Sequence, residues 1–419
     1  MSKRWIQFGC AVVAMIMIAN LQYAWTLFVG PLQRAHTGWG LPAIQWAFTL
    51  FIFPETWITP VEGWLIDRLG PRIFLTAGGV LVGIGWTGMG YAQSLTSFYF
   101  LYGMAGVGAA FIYSGSIATA LKWFPDKRGT VSGFITAGFG AGSALFIPFI
   151  ARLLSHADYK TAFLYSGVTQ GILIILAAQV LHNPGPDFSV SPTAKKAVSP
   201  RIRRNPEDFN SGQMLATPQF WLMYVAFVLT SAGGLMITAQ ASPVGRSMAI
   251  PAAAIVYAVS WSRVANGGGR IFWGWFSDLV GREMAMVIPF LLQALSLVGV
   301  LTLGRLSSTW FIVTMIAVFF TWGSMFSLFP AIVGDYYGPK CATSNYGFLY
   351  TAKGVASIAG GGLAAYLFTK FGNWSAAFYG TAALTVVSAL LIVGLKFMKL
   401  PSLRSGESQD PAMVTVKAG

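Results

Sequence analysis

Charge is scarce in this 419-residue chain. Only 10% of its residues are Asp, Glu, Lys or Arg, against about a quarter in soluble domains. With 55% hydrophobic residues and a mean hydropathy of +0.63, that deficit excludes an ordinary soluble domain and leaves an all-α membrane protein. Cysteine is nearly absent. Cys10 lies in an apolar run and Cys341 in a loop, so neither a disulfide framework nor a metal site is expected. The three histidines, His36, His156 and His182, sit at or beyond the ends of apolar runs, which argues against a buried histidine proton relay. No nucleophile–base constellation and no phosphate loop is visible. The glycine clusters fall inside apolar runs, where they read as close helix packing. The chain is therefore expected to be no enzyme and to carry no cofactor and no metal. Acidic residues are the scarcer charge, 13 against 27 Lys and Arg, for a net charge of +14. The cations lie mainly in short loops between apolar spans, not on one soluble face. The bilayer is the expected partner, and nucleic acid is not.

What is present is a series of apolar runs. A helix needs about 20 apolar residues to span a bilayer. Twelve candidates are read, at roughly 5–30, 42–66, 72–93, 98–121, 130–154, 161–183, 217–240, 251–276, 284–304, 309–333, 342–369 and 374–398. The first follows Lys3 and Arg4 and runs from Trp5 to Leu32. A secretory apolar region is about 7–15 residues, so this run reads as a retained helix. The long polar segment His182–Ala216, rich in Pro, Ser and basic residues, divides the series six and six. The expected organisation is a six-helix bundle over 1–183, a linker over 184–216, a second bundle over 217–400 and a tail over 401–419. Lys and Arg favour cytoplasmic loops. Both termini and the even-numbered loops hold 18 of the 27 cations, and the odd-numbered loops and helix ends hold 6. That asymmetry places the termini and linker in the cytoplasm and the chain in a cell membrane, expected to be a bacterial inner membrane.

The remaining three cations, Arg263, Arg270 and Lys353, lie within apolar spans. A charge at membrane depth is costly and marks a pathway or a partner. At about 1.5 Å per helical residue, Lys353, 13 residues past Lys340, is roughly 20 Å deep. By the same rise, Arg270, 8 residues before Asp278, is roughly 12 Å deep. Two fixed cations suggest an anion as cargo, most simply a small carboxylate. Glu55 and Arg263 reach roughly 18 and 22 Å, 12 residues before Asp67 and 15 before Asp278. They read either as an ion pair or, for Glu55, as a proton-coupling site.

"GWLIDRLGPR" after the second span and "GWFSDLVGR" after the eighth occupy equivalent places in the two halves. On a six-plus-six plan this loop resembles that of the major facilitator superfamily, and the resemblance implies a gating role for Asp67, Arg68, Arg72, Asp278 and Arg282. The strings "LQYAWTLF", "KWFPDKRG", "DFNSGQMLATPQFW", "NGGGRIFWGWFSD", "FFTWGSMFSLFP" and "NYGFLYTAKGVASIAGGGL" together resemble the oxalate:formate antiporter family, from the first span to the eleventh. That resemblance implies a fold of twelve helices in two pseudo-symmetric halves. It also implies a carboxylate site at Arg270 and Lys353, walled by Tyr23, Tyr113, Trp322 and Tyr350, with Gln22 and Gln45. Where oxalate transporters of the family carry tyrosine, this chain has Phe139 and Phe326, and where they carry tryptophan it has Tyr350. Two hydroxyl donors are gone, which weakens the case for oxalate.

On the residues alone, Tyr346, Tyr350, Lys353 and Ser357 share one helix face by their spacing. Tyr and Trp rings can wall a small pocket while their OH and NH groups donate to carboxylate oxygens. The expected function is exchange of small carboxylates, which the family resemblance makes oxalate against formate. The alternative is proton-coupled symport of a monocarboxylate such as lactate, and a non-transporting carboxylate sensor is a third reading. A monomer is expected.

Overall fold

The computed structural model describes residues 3–124, 128–185 and 202–403, all helices, turns and short connections. The middle of the expected linker and the tail beyond residue 403 lie outside the described residues, as do the side chains of Asp67 and Arg68. Lipid offers no hydrogen bonds, so a spanning segment must satisfy its own backbone, and the apolar runs fold as helices.

Helices Lys3–Tyr23 and Trp25–Ala35 make the first pass. Leu41–Trp57 and the start of Thr59–Met89 make the second, and the rest of Thr59–Met89 the third. Leu95–Trp123, Arg128–His156 and Tyr159–Val180 complete the first half. In the second half Pro218–Ser247, Ala252–Val280 and Arg282–Thr302 form passes seven to nine. Ser308–Trp322 with Met325–Tyr337 forms the tenth. The eleventh is Ala342–Ile358, a π-turn at Ala359–Leu363 and Ala364–Phe371, and Ser375–Phe397 is the twelfth. Among the described residues, nine segments are long and apolar enough by themselves to cross a membrane. The other three passes, the second, eighth and eleventh, are those that carry Glu55, Arg263 with Arg270, and Lys353.

The sequence echo between the halves is also a backbone echo. Gly70 has φ 75° and ψ 158°, and Gly281 has φ 92° and ψ 154°. Both lie in a region open essentially to glycine alone. The turn is tight enough that helix runs up to it on both sides, so the expected loop at 67–71 is a kink. In the second half the turn is pinned by charge: Arg282 bonds Asp278 at 2.8 Å and Asp335 at 2.8 Å. Arg204, at the end of the linker, reaches the same Asp335 at 2.9 Å. Arg72, at the equivalent place in the first half, donates to Gln179 at 2.8 Å.

Away from the termini, hydrogen bonds join the two halves. Gln45 Nε2 donates to the Ala239 carbonyl and to Gln240 Oε1, both at 2.9 Å. Gln240 in turn donates, within the second half, to the Gly361 carbonyl at 3.0 Å, and Thr49 Oγ1 donates across to the Ser357 carbonyl at 2.9 Å. The Ser242 N–H donates to Thr26 Oγ1 at 2.7 Å. The bundle is thus sealed between its halves at the end opposite the termini.

Gly70→Ala should destabilise the protein by about 1–3 kcal/mol from backbone strain, since nothing lies within 4 Å of where its Cβ would stand. Gly380→Ala, in a helix and equally unobstructed, should instead be neutral or stabilise by up to about 1 kcal/mol. Thermal unfolding of the two variants in detergent checks the contrast.

Candidate functional site

Two passes break at the same layer of the bundle. The first helix stops at Tyr23 and restarts at Trp25. The tenth stops at Trp322 and restarts at Met325. Irregular backbone at membrane depth is tolerated only where protein buries it or a cavity adjoins it. Here the Tyr23 and Trp322 rings meet edge to face, 6.4 Å apart, and the charged side chains gather beside them.

Lys353 projects from the eleventh pass into this layer and is fully buried. Its Nζ donates to Glu55 Oε1 at 3.0 Å and Oε2 at 2.9 Å, to Gln22 Oε1 at 2.9 Å and to the Tyr350 hydroxyl at 3.1 Å. Glu55 is on the second pass, so this pair bridges the halves. The bridge forms because these two helices touch along their length: a Cβ on Gly354 would stand 2.9 Å from Trp57 Nε1, and Thr49 bonds Ser357 higher up.

The expected pairing of Glu55 with Arg263 is not formed. Equal depth puts two residues in one layer but does not fix the direction in which they point. The eighth pass packs on the fifth and tenth, away from Glu55. Arg263 is fully buried and lies flat between aromatic rings, its Cζ 3.9 Å from the Phe319 centroid and 4.6 Å from that of Tyr23. None of its three side-chain nitrogens has a hydrogen-bond partner.

Arg270 is held differently again. Nη1 donates to the Thr136 carbonyl at 2.7 Å. Nη2 reaches Asn266 Oδ1 at 3.2 Å and the Tyr23 hydroxyl at 3.4 Å. Among the described residues its Nε has no partner, and no carboxylate is bonded to it. The neighbouring glycines serve packing: Gly269 lies against the Phe320 carbonyl, and a Cβ on Gly267 would come within 2.8 Å of Ala141.

Phe326 and Phe139 join the two cations. Phe326 lies 4.4 Å from Arg270 Cζ and 6.0 Å from Lys353 Nζ. Phe139 lies 5.9 and 5.7 Å from the same atoms. Tyr113 stacks on Tyr350 at 5.6 Å and meets Phe139 edge-on at 5.4 Å, and Trp322 meets Phe326 at 5.1 Å. None of these side chains is more than 6% exposed, so the cluster is sealed from both ends. Among the described residues the indole N–H of Trp322 and the hydroxyl of Tyr346 have no partner, and the Trp322 indole lies against Gly234.

Gln45 stands apart from this cluster, in the seam at the far end, where it also accepts from Trp25 Nε1 at 2.9 Å. Asn266 and the Thr136 carbonyl, which hold Arg270, were missed from sequence. An Asn four residues before a buried Arg on a helix is a signal that was available for the first. A backbone carbonyl on another helix leaves no signal at all.

A model of the Major Facilitator Superfamily matches residues 8–361 and 252–415. The oxalate:formate antiporter of Oxalobacter formigenes is 40% identical over 391 residues, 93% of this chain and 91% of that protein. Monocarboxylate transporter 13 of Rattus norvegicus is 24% identical, over 88% of this chain and 83% of its own. Apicoplast pyruvate carrier 1 of Toxoplasma gondii is 26% identical, over 71% and 65%. The chain belongs to the Major Facilitator Superfamily and, within it, to the oxalate:formate antiporter family. It is a multi-pass membrane transporter and not an enzyme.

The pairing makes a double-mutant cycle decisive. Glu55→Gln should cost about 3–5 kcal/mol by leaving the Lys353 ammonium buried without its counter-charge, and adding Lys353→Met should recover much of it. Glu55→Gln and Arg263→Gln should add to within about 0.5 kcal/mol. Equilibrium unfolding in mixed micelles measures both.

Proposed function

We propose that the protein exchanges small carboxylate anions across a membrane by alternating access, in the manner of the oxalate:formate antiporter, with the cargo bound at Arg270 and Lys353. The observation that carries this reading is the charge balance of the sealed layer. Among the described residues of this region three buried cations, Arg263, Arg270 and Lys353, stand inside an aromatic enclosure between the two halves against two buried carboxylates of the second pass, Glu55 and, two turns on, Glu62. Moving such a layer through an occluded state without an anion leaves buried charge uncompensated, which costs several kcal/mol. A bound carboxylate relieves that cost in both directions of travel, so the loaded carrier crosses more readily than the empty one. Arg270, which among the described residues has an unpartnered Nε and no carboxylate bonded to it, is the primary anion contact. Tyr23, Tyr113, Phe139, Trp322, Phe326 and Tyr350 exclude water from the ligand, and Gln22 orients the ammonium.

The six-helix units 1–183 and 217–400, linked by 184–216, rock about this layer. The Gln45 seam closes one end and the Asp67 and Asp278 turns gate the other. The cation bias of the loops puts the termini, linker and tail 401–419 in the cytoplasm of a cell whose inner membrane holds the protein as a monomer.

In proteoliposomes, uptake of labelled formate, lactate or oxalate should rise steeply when unlabelled carboxylate is loaded inside. Arg270→Gln should abolish both that stimulation and carboxylate-dependent thermal stabilisation. Uptake that ignores internal anion and follows an inward proton gradient would replace exchange with symport. Neither response would leave only a carboxylate sensor.

A further inference from the structure

The ammonium of Lys353 is already served. It has three protons to donate, and Glu55 takes up both the charge and the bonds, through two oxygens at 3.0 and 2.9 Å, with Gln22 and Tyr350 completing the shell. Arg270 has only neutral acceptors and an unused Nε. The two cations of the site are therefore not equivalent towards an anion. We propose that Glu55 is a resident carboxylate that fills the Lys353 half of the site, so that the preferred cargo is a monocarboxylate with a short apolar substituent, its head on Arg270.

The inference rests on the transport reading above and deepens it. A planar guanidinium grips a carboxylate through two parallel N–H bonds, and the Trp322 ring, whose N–H has no partner among the described residues, meets Phe326 edge to face. Between Arg270 and Lys353 stand the faces of Phe139 and Phe326. A methyl or short alkyl group is at home against those rings. A second carboxylate placed there would lose its water and gain no hydroxyl in exchange.

To reach Lys353, the second carboxylate of a dianion must evict Glu55. That leaves a buried carboxylate unpaired, which costs more than any single new bond returns. Selectivity thus comes from a repulsive element, a like charge held where the rejected ligand would put its own. Because Glu55 and Lys353 sit on opposite halves, their pair bridges the halves without any ligand, whereas Arg270 and Lys353 both belong to the second half. A monocarboxylate can therefore be occluded without spanning both cations.

The test is calorimetric titration of the purified full-length protein with sodium formate, acetate, lactate and oxalate at neutral pH and matched ionic strength. The wild type should bind acetate or lactate more tightly than oxalate. Glu55→Gln should move the ratio towards oxalate by roughly tenfold to a hundredfold, the range of one hydrogen bond to a charged group. Glu55→Asp, which keeps the charge but draws it back by one methylene, should give an intermediate ratio and decides the matter if the glutamine variant does not fold. Carboxylate binding with the same oxalate-to-acetate ratio in wild type and variants overturns this proposal alone. No carboxylate binding in any of them overturns it together with the transport reading beneath it.

Discussion

A lysine ammonium stripped of water at membrane depth needs a counter-charge within bonding distance, and Glu55 provides it from the opposite half of the molecule. Much else in the arrangement follows from that contact. It fixes how the second and eleventh passes face each other and brings Gln22 and Tyr350 into the same shell. It also sets the layer in which Arg270 is left with neutral partners only. Attraction in a low-dielectric interior is strong, but so is the desolvation it must offset. The pair therefore persists only because packing holds both helices in place, as at Gly354 against Trp57.

The other two cations are accommodated by quite different means. Arg270 is spread over a carbonyl, an amide oxygen and a phenol. Arg263 has no polar partner and lies between the faces of Phe319 and Tyr23, where ring quadrupoles attract a cation. Tyr23 serves both arginines, its ring under one and its hydroxyl beside the other. The break after Tyr23 in the first pass allows a tyrosine to stand at that junction. The paired break after Trp322 lets the tenth pass bring its indole opposite. Three modes of holding charge, by ion pair, by neutral dipoles and by ring faces, thus coexist within one enclosed layer.

The fold was legible because its determinants are local. Apolar length marks a pass, and the repeated Gly-Trp…Asp…Gly string marks the turn, where Gly70 and Gly281 share a backbone conformation. Depth along each helix marked Arg270 and Lys353 as cations inside the bilayer, and it was the family resemblance that grouped Tyr23, Tyr113, Trp322 and Tyr350 with them. The azimuth of each helix was not legible, since it depends on which neighbours it packs against. That is why depth alone suggested Arg263 for Glu55, when the second pass in fact faces the eleventh. Gln45 shows the same limit. The family resemblance implied it for the carboxylate site, but it stands in the seam between the halves, about 15 Å along the helix from Glu55. The Thr136 carbonyl that holds Arg270 belongs to a class of contact that side-chain reading cannot supply.

The most direct test of the proposed site is the crystal structure of the protein with (methylseleno)acetate, a non-alkylating monocarboxylate whose selenium reports its position by anomalous scattering. One selenium peak is expected between the Phe139 and Phe326 rings, with the carboxylate on Arg270 and Glu55 still bonded to Lys353. A carboxylate seated on Lys353 with Glu55 displaced, or a peak outside this layer, would contradict it.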